Sequence, residues 1–529
     1  MLSDTRGVTG RLTLIRGARV YDRALDVHRP PIRDVIVDGN RIASVTPPDE
    51  LAELKARIAD DAGHKRPGAC FIDGKDKLLI PGLVNAHYHS YDVLSKGRFE
   101  DMPFDVWALH SQPAYWGKRS KAELRARTLL GAMESLRHGA TTIQDMNSLV
   151  PQDEETLDII LGAYAEIGIR VVFSIAVRDI AALDIEPFLP PDMPADVASI
   201  VGGKPGDARA DLAFVEAQIR RLDPLPARMH WALSPSGPQR CSTPLLEGIA
   251  GLSDRYKLPV LTHVYETRAQ LAKARSHYAD HGGSLVRYMA DVGLLTERTT
   301  IAHSVYITPD EIADIAGAGT GVVHNPLANL KLKNGVAPLL DLKRAGVNLA
   351  LGCDNCSCSD CQNLFQAMKL FTLLASGMDA EPVGVLAQHA LEAATVGGAR
   401  AVGLAGAVGD VRPGMLADLA LIDLADLAYL PFNSAARQLV FSETGRGVHT
   451  VLVDGQTVLM DGRLTMVDES RFREELADVM ESVERDYQQL ATRQRPAIPY
   501  LIEATKNLKN AKLGVSRLVG DSREYTASH

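Results

Sequence analysis

Residues 79–90 read LIPGLVNAHYHS and place His87 and His89 two positions apart. On an extended strand, residues i and i+2 point to the same side, so both imidazoles face one point. Imidazole suits zinc and iron, and a catalytic metal site takes about three protein ligands plus an open position for water. His-x-His alone is a weak signal, because a satisfied pair of histidines is the commoner outcome. Here the pair has company: His263 with Glu266 three residues on, His303, and Asp354 in the segment LGCD. Each of these follows an apolar run and ends a predicted strand.

The elements that must position these side chains alternate along the chain. From residue 78 onward, eight strands are expected, at 78–86, 141–147, 170–177, 228–234, 259–266, 299–306, 321–326 and 347–354. Helical runs such as KAELRARTLLGAMESLRHG, TLDIILGAYAEIG and VAPLLDLKRAG lie between them. Eight strand–helix units predict an α/β fold, a TIM-like (β/α)8 barrel, with a doubly wound sheet as the alternative on pattern alone. The polar residues favour the barrel. His87, His89, His263, His303 and Asp354 all fall at C-terminal strand ends, which in a barrel form one rim where active sites are built.

Before the barrel, residues 11–75 alternate short apolar runs with turns, including the hairpin signal VDGN, and a helical stretch at 49–61 interrupts them. After it, GDVRPGMLADLALIDL and HTVLVDGQTVLMDGRLT return to short strands. A small β-sandwich domain built from both chain ends is therefore expected: its N-terminal part at 1–77, the barrel at 78–408 and its C-terminal part at 409–466. Residues 467–529 form a charged helical extension, read as a surface helix with a frayed tail or a subunit contact.

Composition sets outer bounds. The chain has 529 residues, 46% of them hydrophobic, and a formal net charge of −9. No basic stretch dominates, so no nucleic-acid partner is expected. No apolar run reaches membrane-spanning length, and the N-terminus lacks the order of a signal peptide, so no membrane partner and a cytoplasmic location are expected. Six cysteines are too few for a disulfide scaffold at this size. Four of them, Cys353, Cys356, Cys358 and Cys361, crowd into CDNCSCSDC. They read as a loop lining the pocket, with a metal-binding or redox cluster as the alternative.

The segments PGLVNAHYH, LTHVYET, IAHSVY, HNPLANLKL, LGCDN and RPGMLADLALID come in this order over roughly residues 10–465. In them the chain resembles the amidohydrolase superfamily, in its branch of mononuclear-metal aminohydrolases and chlorohydrolases, such as guanine and cytosine deaminases and triazine hydrolases. The resemblance implies that His87, His89, His263 and Asp354 hold one divalent metal ion, Zn²⁺ first and Fe²⁺ second. Other branches hold a second ion with a carboxylated lysine ending the fourth strand. Here that strand reads RMHWALSPS, without a lysine, and Lys257 is badly placed. One ion per chain is expected.

Such an ion lowers the pKa of a bound water to about 7 and supplies a nucleophile. Glu266, in the family's His-x-x-Glu pattern, is the expected proton shuttle. Residues 263 and 266 do not share a face on an ideal strand, so the chain must turn after Val264. The alternative for Glu266 is a carboxylate stabilising the helix that follows. The resemblance gives His303 a hydrogen bond to substrate or water rather than a ligand's role, and the alternative is a satisfied buried histidine. Asp354 is expected to serve as ligand and proton acceptor. Weaker expectations put His324, Asn325, Asn329, Trp107 and Gln144 against the substrate. Asp145 reads as supporting or core, Ser234-Pro235-Ser236 as pocket-lining, Tyr115 and Trp116 as stacking or packing groups, and His230 as structural.

The expected activity is metal-dependent hydrolysis of a non-peptide C–N bond, deaminating an amino-substituted N-heterocycle. An amine leaving group needs a proton and chloride does not, so the acid favours deamination. Amide or urea hydrolysis, then C–Cl hydrolysis, are the alternatives on the same site. An inactive scaffold or a cysteine-cluster protein is the alternative of a different class. The expected partners are a small-molecule substrate and a second copy of the chain, a homo-oligomer with the dimer as default.

Overall fold

The computed structural model describes residues 11–64, 69–181, 188–203 and 205–517. The long apolar segments form parallel strands. Leu83–His89, Ala140–Asn147, Arg170–Val177, Met229–Trp231 and Ser234–Pro235 pair in parallel within a six-stranded sheet, which Asp354–Asn355 completes beside Leu83–His89. Val260–Val264, Thr299–His303, Gly321–His324 and Leu349–Leu351 make a four-stranded parallel sheet. Every residue of Leu83–His89 and of Ala140–Asn147 is buried, as in parallel strands covered on both faces.

The two sheets meet twice. Leu233 bridges Val260 in parallel. On the other side, Leu349–Leu351 pairs with Gly321–His324, and Asp354 and Asn355, a few residues on, pair with Tyr88 and His89. One apolar cluster joins Val84, Met146, Val172, Ala232, Leu261, Val323 and Ala350 from both sheets.

Helices connect the strands, and polar side chains start them. Ser120, Asp153, Ser242, Thr267 and Ser284 each accept a backbone N–H in the first turn of the helix that follows. A cap of this kind contributes about 1 kcal/mol.

Segments before and after the parallel strands, within residues 12–81 and 419–464, share one nine-stranded sheet. Its path runs Arg463–Leu464, Gln456–Met460, Val448–Val453, Leu419–Asp423, Lys77–Pro81, Leu12–Val20, Ile32–Asp38 and Arg41–Thr46, with Ala69–Asp73 beside Leu12–Val20. The strand expected at 78–86 is therefore two strands. Lys77–Pro81 pairs antiparallel with Leu419–Asp423, whereas Leu83–His89 belongs to the parallel sheet. The Pro81-Gly82 step separates them: the Gly82 N–H still donates to Asp418 O, one step past the Pro81–Leu419 pair, and the parallel pairing begins at Leu83. A buried ion pair ties the layers together: Arg170, at the start of its parallel strand, donates from Nε and Nη2 to Asp418 at 2.8 and 2.9 Å.

The described part of the C-terminal extension, to residue 517, contains the helix Glu469–Gln494, a short 3-10 turn at Arg495–Ala497 and the helix Ile498–Asn510; the end of the expected tail, residues 518–529, lies outside the described residues. It packs against its own chain rather than standing free. Tyr487 lies 6.1 Å from the Trp116 ring and takes the Arg98 guanidinium over its face at 4.5 Å. Arg119 pairs with Asp486 and Arg125 with Glu475. Among the described residues, no helix is long and apolar enough to cross a membrane.

Candidate active site

His87 and His89 end the first parallel strand with both side chains buried. His263 comes from Val260–Val264 and His303 from Thr299–His303. Asp354 starts the short segment that returns to Tyr88. Ligand atoms of His87, His89 and Asp354 lie within 4.8 Å of one another, as do those of His87, His263 and His303, and those of Glu266, His303 and Asp354. All the residues expected at the rim thus converge on one point.

The hydrogen bonds around the rings fix which nitrogen faces that point. His89 Nδ1 donates to Met146 O and His263 Nδ1 donates to Ser236 O, both at 2.6 Å. The two Nε2 atoms are left facing each other at 3.4 Å. His87 Nε2 is buried, makes no hydrogen bond and stands 3.5 Å from Asp354 Oδ1. Unprotonated imidazole nitrogens and a carboxylate aimed at one centre are the donor set of a divalent metal, with second partners orienting each ring.

Charge at the site follows burial and neighbours. Burial lowers the His87 pKa to about 4. Burial, reinforced by His87 and His303, holds His263 well below the ordinary histidine value. Burial also lowers His303. At His89 burial acts downward, but the Asp354 carboxylate outweighs it and the pKa is raised. Burial works against the Asp354 charge, yet the His87 and His89 rings hold this carboxyl well below its usual range. Glu266 goes the other way: burial, with Asp354 adding like charge, raises it to about 8.

The backbone makes the convergence possible. Tyr265, His303, Ser304 and Asp354 all have positive φ, between 50° and 73°. Such conformations cost a non-glycine residue roughly 1–3 kcal/mol and cluster at functional sites. Tyr265 (φ 53°) is the turn that the His263–Glu266 spacing requires after Val264. Gly352 lets the last strand close in, because a Cβ there would stand 2.4 Å from Asn325 Oδ1 and 2.7 Å from His87 Cβ.

Glu266 is not the cap of the helix Arg268–His277. Thr267 is the N-cap, accepting from Gln270 N. The Glu266 carboxylate instead accepts from Asn334 Nδ2 at 3.3 Å and faces His303 Nε2 at 3.8 Å.

A cavity of about 380 Å³, mouth included, opens over these groups. His89, His263, Glu266, His303, Asp354 and Ser236 line it, and Trp107 and Phe104 come from the helix Phe104–Ser111 in the loop after the first parallel strand. Trp107 Nε1 donates to Ser357 Oγ, so that loop is fastened to the cysteine-rich segment.

His324, Asn325, Asn329 and Gln144 do not line this cavity. Asn329 Oδ1 accepts from His303 Nδ1 at 2.8 Å and holds the ring from behind, whereas Asn325 Nδ2 lies about equally far from both ring nitrogens, at 3.5 and 3.4 Å. His324 is buried with both ring nitrogens unpaired, and burial lowers its pKa to about 3. Gln144 donates to Ser174 Oγ in the interior. Asp145 accepts from Ser90 Oγ, Asn147 and Tyr164 and braces the strand end that carries His89. Tyr115 donates to Val201 O and Trp116 to His110 O. His230 packs on Arg170.

Residue types alone did not mark Tyr91, Gln112, Arg240 or Asn355 in the cavity wall, nor Asn334 behind Glu266. Arg240 sits in the turn that follows Ser236, a residue that was marked, and this was the one available signal. The four clustered cysteines, expected to line the pocket, are not among the residues that line this cavity. Burial raises Cys353, Cys356 and Cys358 well above the ordinary thiol value, and among the described residues no cysteine belongs to a group that could hold a metal.

The amidohydrolase family matches residues 78–458, most of the chain. The chain belongs to the amidohydrolase family. A 5′-deoxyadenosine deaminase from Methanothermobacter thermautotrophicus is 33% identical over 425 residues, covering 80% of this chain and 91% of that protein. A 5-methylthioadenosine/S-adenosylhomocysteine deaminase from Pyrococcus furiosus is 30% identical over 430 residues, covering 79% of this chain and 92% of that protein. Among solved structures, a zinc-bound adenosine deaminase from Xanthomonas campestris superposes with a TM-score of 0.74 at 25% identity, covering 90% of this chain and 98% of that one. An atrazine chlorohydrolase from Arthrobacter aurescens has the same fold, with a TM-score of 0.74 at 23% identity and coverage of 88% and 99%. This amidohydrolase is an enzyme that hydrolyses C–N bonds.

Proposed function

We propose that the chain removes the amino group of an N-heterocycle by hydrolysis, with adenosine-type nucleosides as the first substrates to test. One divalent ion, zinc first and iron second, is held by His87, His89, His263 and Asp354. The observation that carries this reading is the facing pair of Nε2 atoms on His89 and His263, with Asp354 beside them and Glu266 at the same cavity. The deaminase relatives and the zinc-bound structural neighbour support it. We also read the ten parallel strand segments as one closed (β/α)8 barrel. The bridge Leu233–Val260, the pairing of Asp354 with Tyr88 and the apolar cluster spanning both sheets support closure.

An ion in this donor set lowers the pKa of a coordinated water to about 7 and so supplies a nucleophile at neutral pH. Glu266, with its pKa raised to about 8, exchanges a proton near neutrality. It takes the proton of the attacking water and delivers it to the departing nitrogen, so that ammonia leaves. His303 donates through Nδ1 to Asn329, which leaves Nε2 turned to the cavity as an acceptor that orients the water. Trp107 and Phe104 give the ring of the substrate two flat apolar surfaces.

The test is an ammonia-release screen over adenosine, 5′-deoxyadenosine, 5-methylthioadenosine and unrelated amino-heterocycles, with metal-replete wild type beside Glu266→Gln. Release from one substrate, reduced by about two orders of magnitude or more in the variant, supports the reading. Release of an alkylamine or arylamine without ammonia moves the activity to amide or urea hydrolysis. A metal-loaded enzyme that turns over none of these refutes the substrate class.

A further inference from the structure

The chain beyond the family match returns to the loops that carry the site. Residues 508–517 lie across the loops that follow three successive strands, and two arginines fasten them there. Arg268, two residues after Glu266, donates from Nε to Leu508 O at 3.1 Å, from Nη2 to Ala511 O at 2.5 Å and from Nη1 to Val515 O at 3.1 Å. Arg517 reaches the other way, from Nε to Val305 O and from Nη2 to Ile307 O, both at 3.1 Å. Those carbonyls stand just beyond His303 and Ser304, whose positive φ turns His303 toward the cavity.

The third loop is joined through the backbone. Val336 N donates to Arg517 O at 2.9 Å. Gly335, at φ 110°, allows this approach, since a Cβ there would stand 2.4 Å from that carbonyl oxygen. Asn334, the residue before, holds the Glu266 carboxylate. The tail thus meets the chain on both sides of the Asn334–Glu266 hydrogen bond, through the Arg268 side chain on one side and the Val336 backbone on the other. Leu508 also packs on Ala269 and Ala272 of the helix that starts after Glu266.

We propose that residues 508–517 are a positioning element for the proton shuttle: Arg268 and Arg517 lock the tail over the loops, and the tail fixes Asn334 against Glu266. Neither arginine is among the residues that line the cavity. A guanidinium shared among several backbone carbonyls is a rigid multi-point fastening, which lysine cannot reproduce. Three loops held by one strap keep the Glu266 carboxylate where a proton transfer of hydrogen-bond length needs it. The inference rests on the role given to Glu266 in the proposed deamination.

The test is a double-mutant cycle in kcat on the full-length, metal-loaded enzyme, with Arg517→Ala and Glu266→Gln alone and combined, and metal content measured for each. Arg517→Ala is expected to lower kcat by about tenfold or more in the wild-type background, with KM and metal content little changed. In the Glu266→Gln background it is expected to cost almost nothing, because residues acting as a unit are non-additive. An equal factor in both backgrounds, or no loss in either, overturns the proposal. Arg517→Lys is expected to restore less than half of the logarithmic loss, and full rescue also counts against it. Amide exchange at Val336 reports docking independently of activity: it should accelerate in Arg517→Ala, and unchanged exchange refutes the strap. If Glu266→Gln leaves kcat intact while Val336 responds, the deamination role of Glu266 has failed and the positioning role with it, although the tail docks.

Discussion

His89 and His263 face each other with their Nε2 atoms 3.4 Å apart, and each ring has its Nδ1 proton committed to a backbone carbonyl. Two lone pairs at that distance repel, and a cation between them turns the repulsion into coordination. His263→Ala is therefore expected to retain the fold by circular dichroism but to lose bound metal and turnover together. Metal analysis by mass spectrometry beside the activity assay checks this. Full metal content in the variant would remove His263 from the ligand set.

Metal should also stabilise the fold. Anything that binds the native state alone raises its stability by mass action. Chelated enzyme is expected to melt at a lower temperature than enzyme with added zinc, and the difference should shrink in His89→Ala. A calorimetric scan of the four samples decides the matter.

Asn329 accepts from His303 Nδ1 at 2.8 Å and fixes which nitrogen faces the cavity. Asn329→Ala is expected to lower kcat by about 10- to 100-fold, in line with partners that orient a site histidine. KM should change little, because Asn329 does not line the cavity. A rise in KM with unchanged kcat would return Asn329 to substrate contact.

Arg170 and Asp418 are both fully buried and joined by two hydrogen bonds between the third parallel strand and the nine-stranded sheet. Removing one partner strands a charge in the interior. Asp418→Ala is expected to cost about 3–5 kcal/mol in denaturant unfolding. The pair Arg170→Met with Asp418→Leu should cost less than the single variant.

Stability should fall on the acid side of neutrality. Burial, with Arg170 adding like charge, lowers the His230 pKa to about 4, and burial lowers His324 to about 3. Both pKa values are depressed on folding. Between roughly pH 6.5 and 4 the unfolded chain binds protons that the folded chain refuses, so stability drops as pH falls through that window. His324→Phe is expected to flatten the slope of unfolding free energy against pH there. An unchanged slope would show that His324 takes up its proton equally in the folded and unfolded chain.

Much of this arrangement was legible before any coordinate. Residue type and spacing picked out His87, His89, His263, Glu266, His303 and Asp354, because strand alternation and strand ends are local properties that a short window contains. The alternation of strands and helices gave the α/β class for the same reason. The expected strand at 78–86 failed at Pro81-Gly82 because an apolar run does not say which neighbour it pairs with, and Lys77–Pro81 found Leu419–Asp423 across the chain.

The sequence by itself determined the chemistry available: the donors, the acid and the order in which they arrive. Only the tertiary structure decided their geometry. The carbonyls of Met146 and Ser236 choose the ring tautomers, positive φ at Tyr265, His303 and Asp354 aims the side chains, and Asn329 and Asn334 turn out to serve His303 and Glu266. The placing of residues 508–517 against the loops that carry the site belongs to the same category. All of these are contacts between residues far apart in the chain, set by packing and backbone hydrogen bonding, which the order of residues alone does not display.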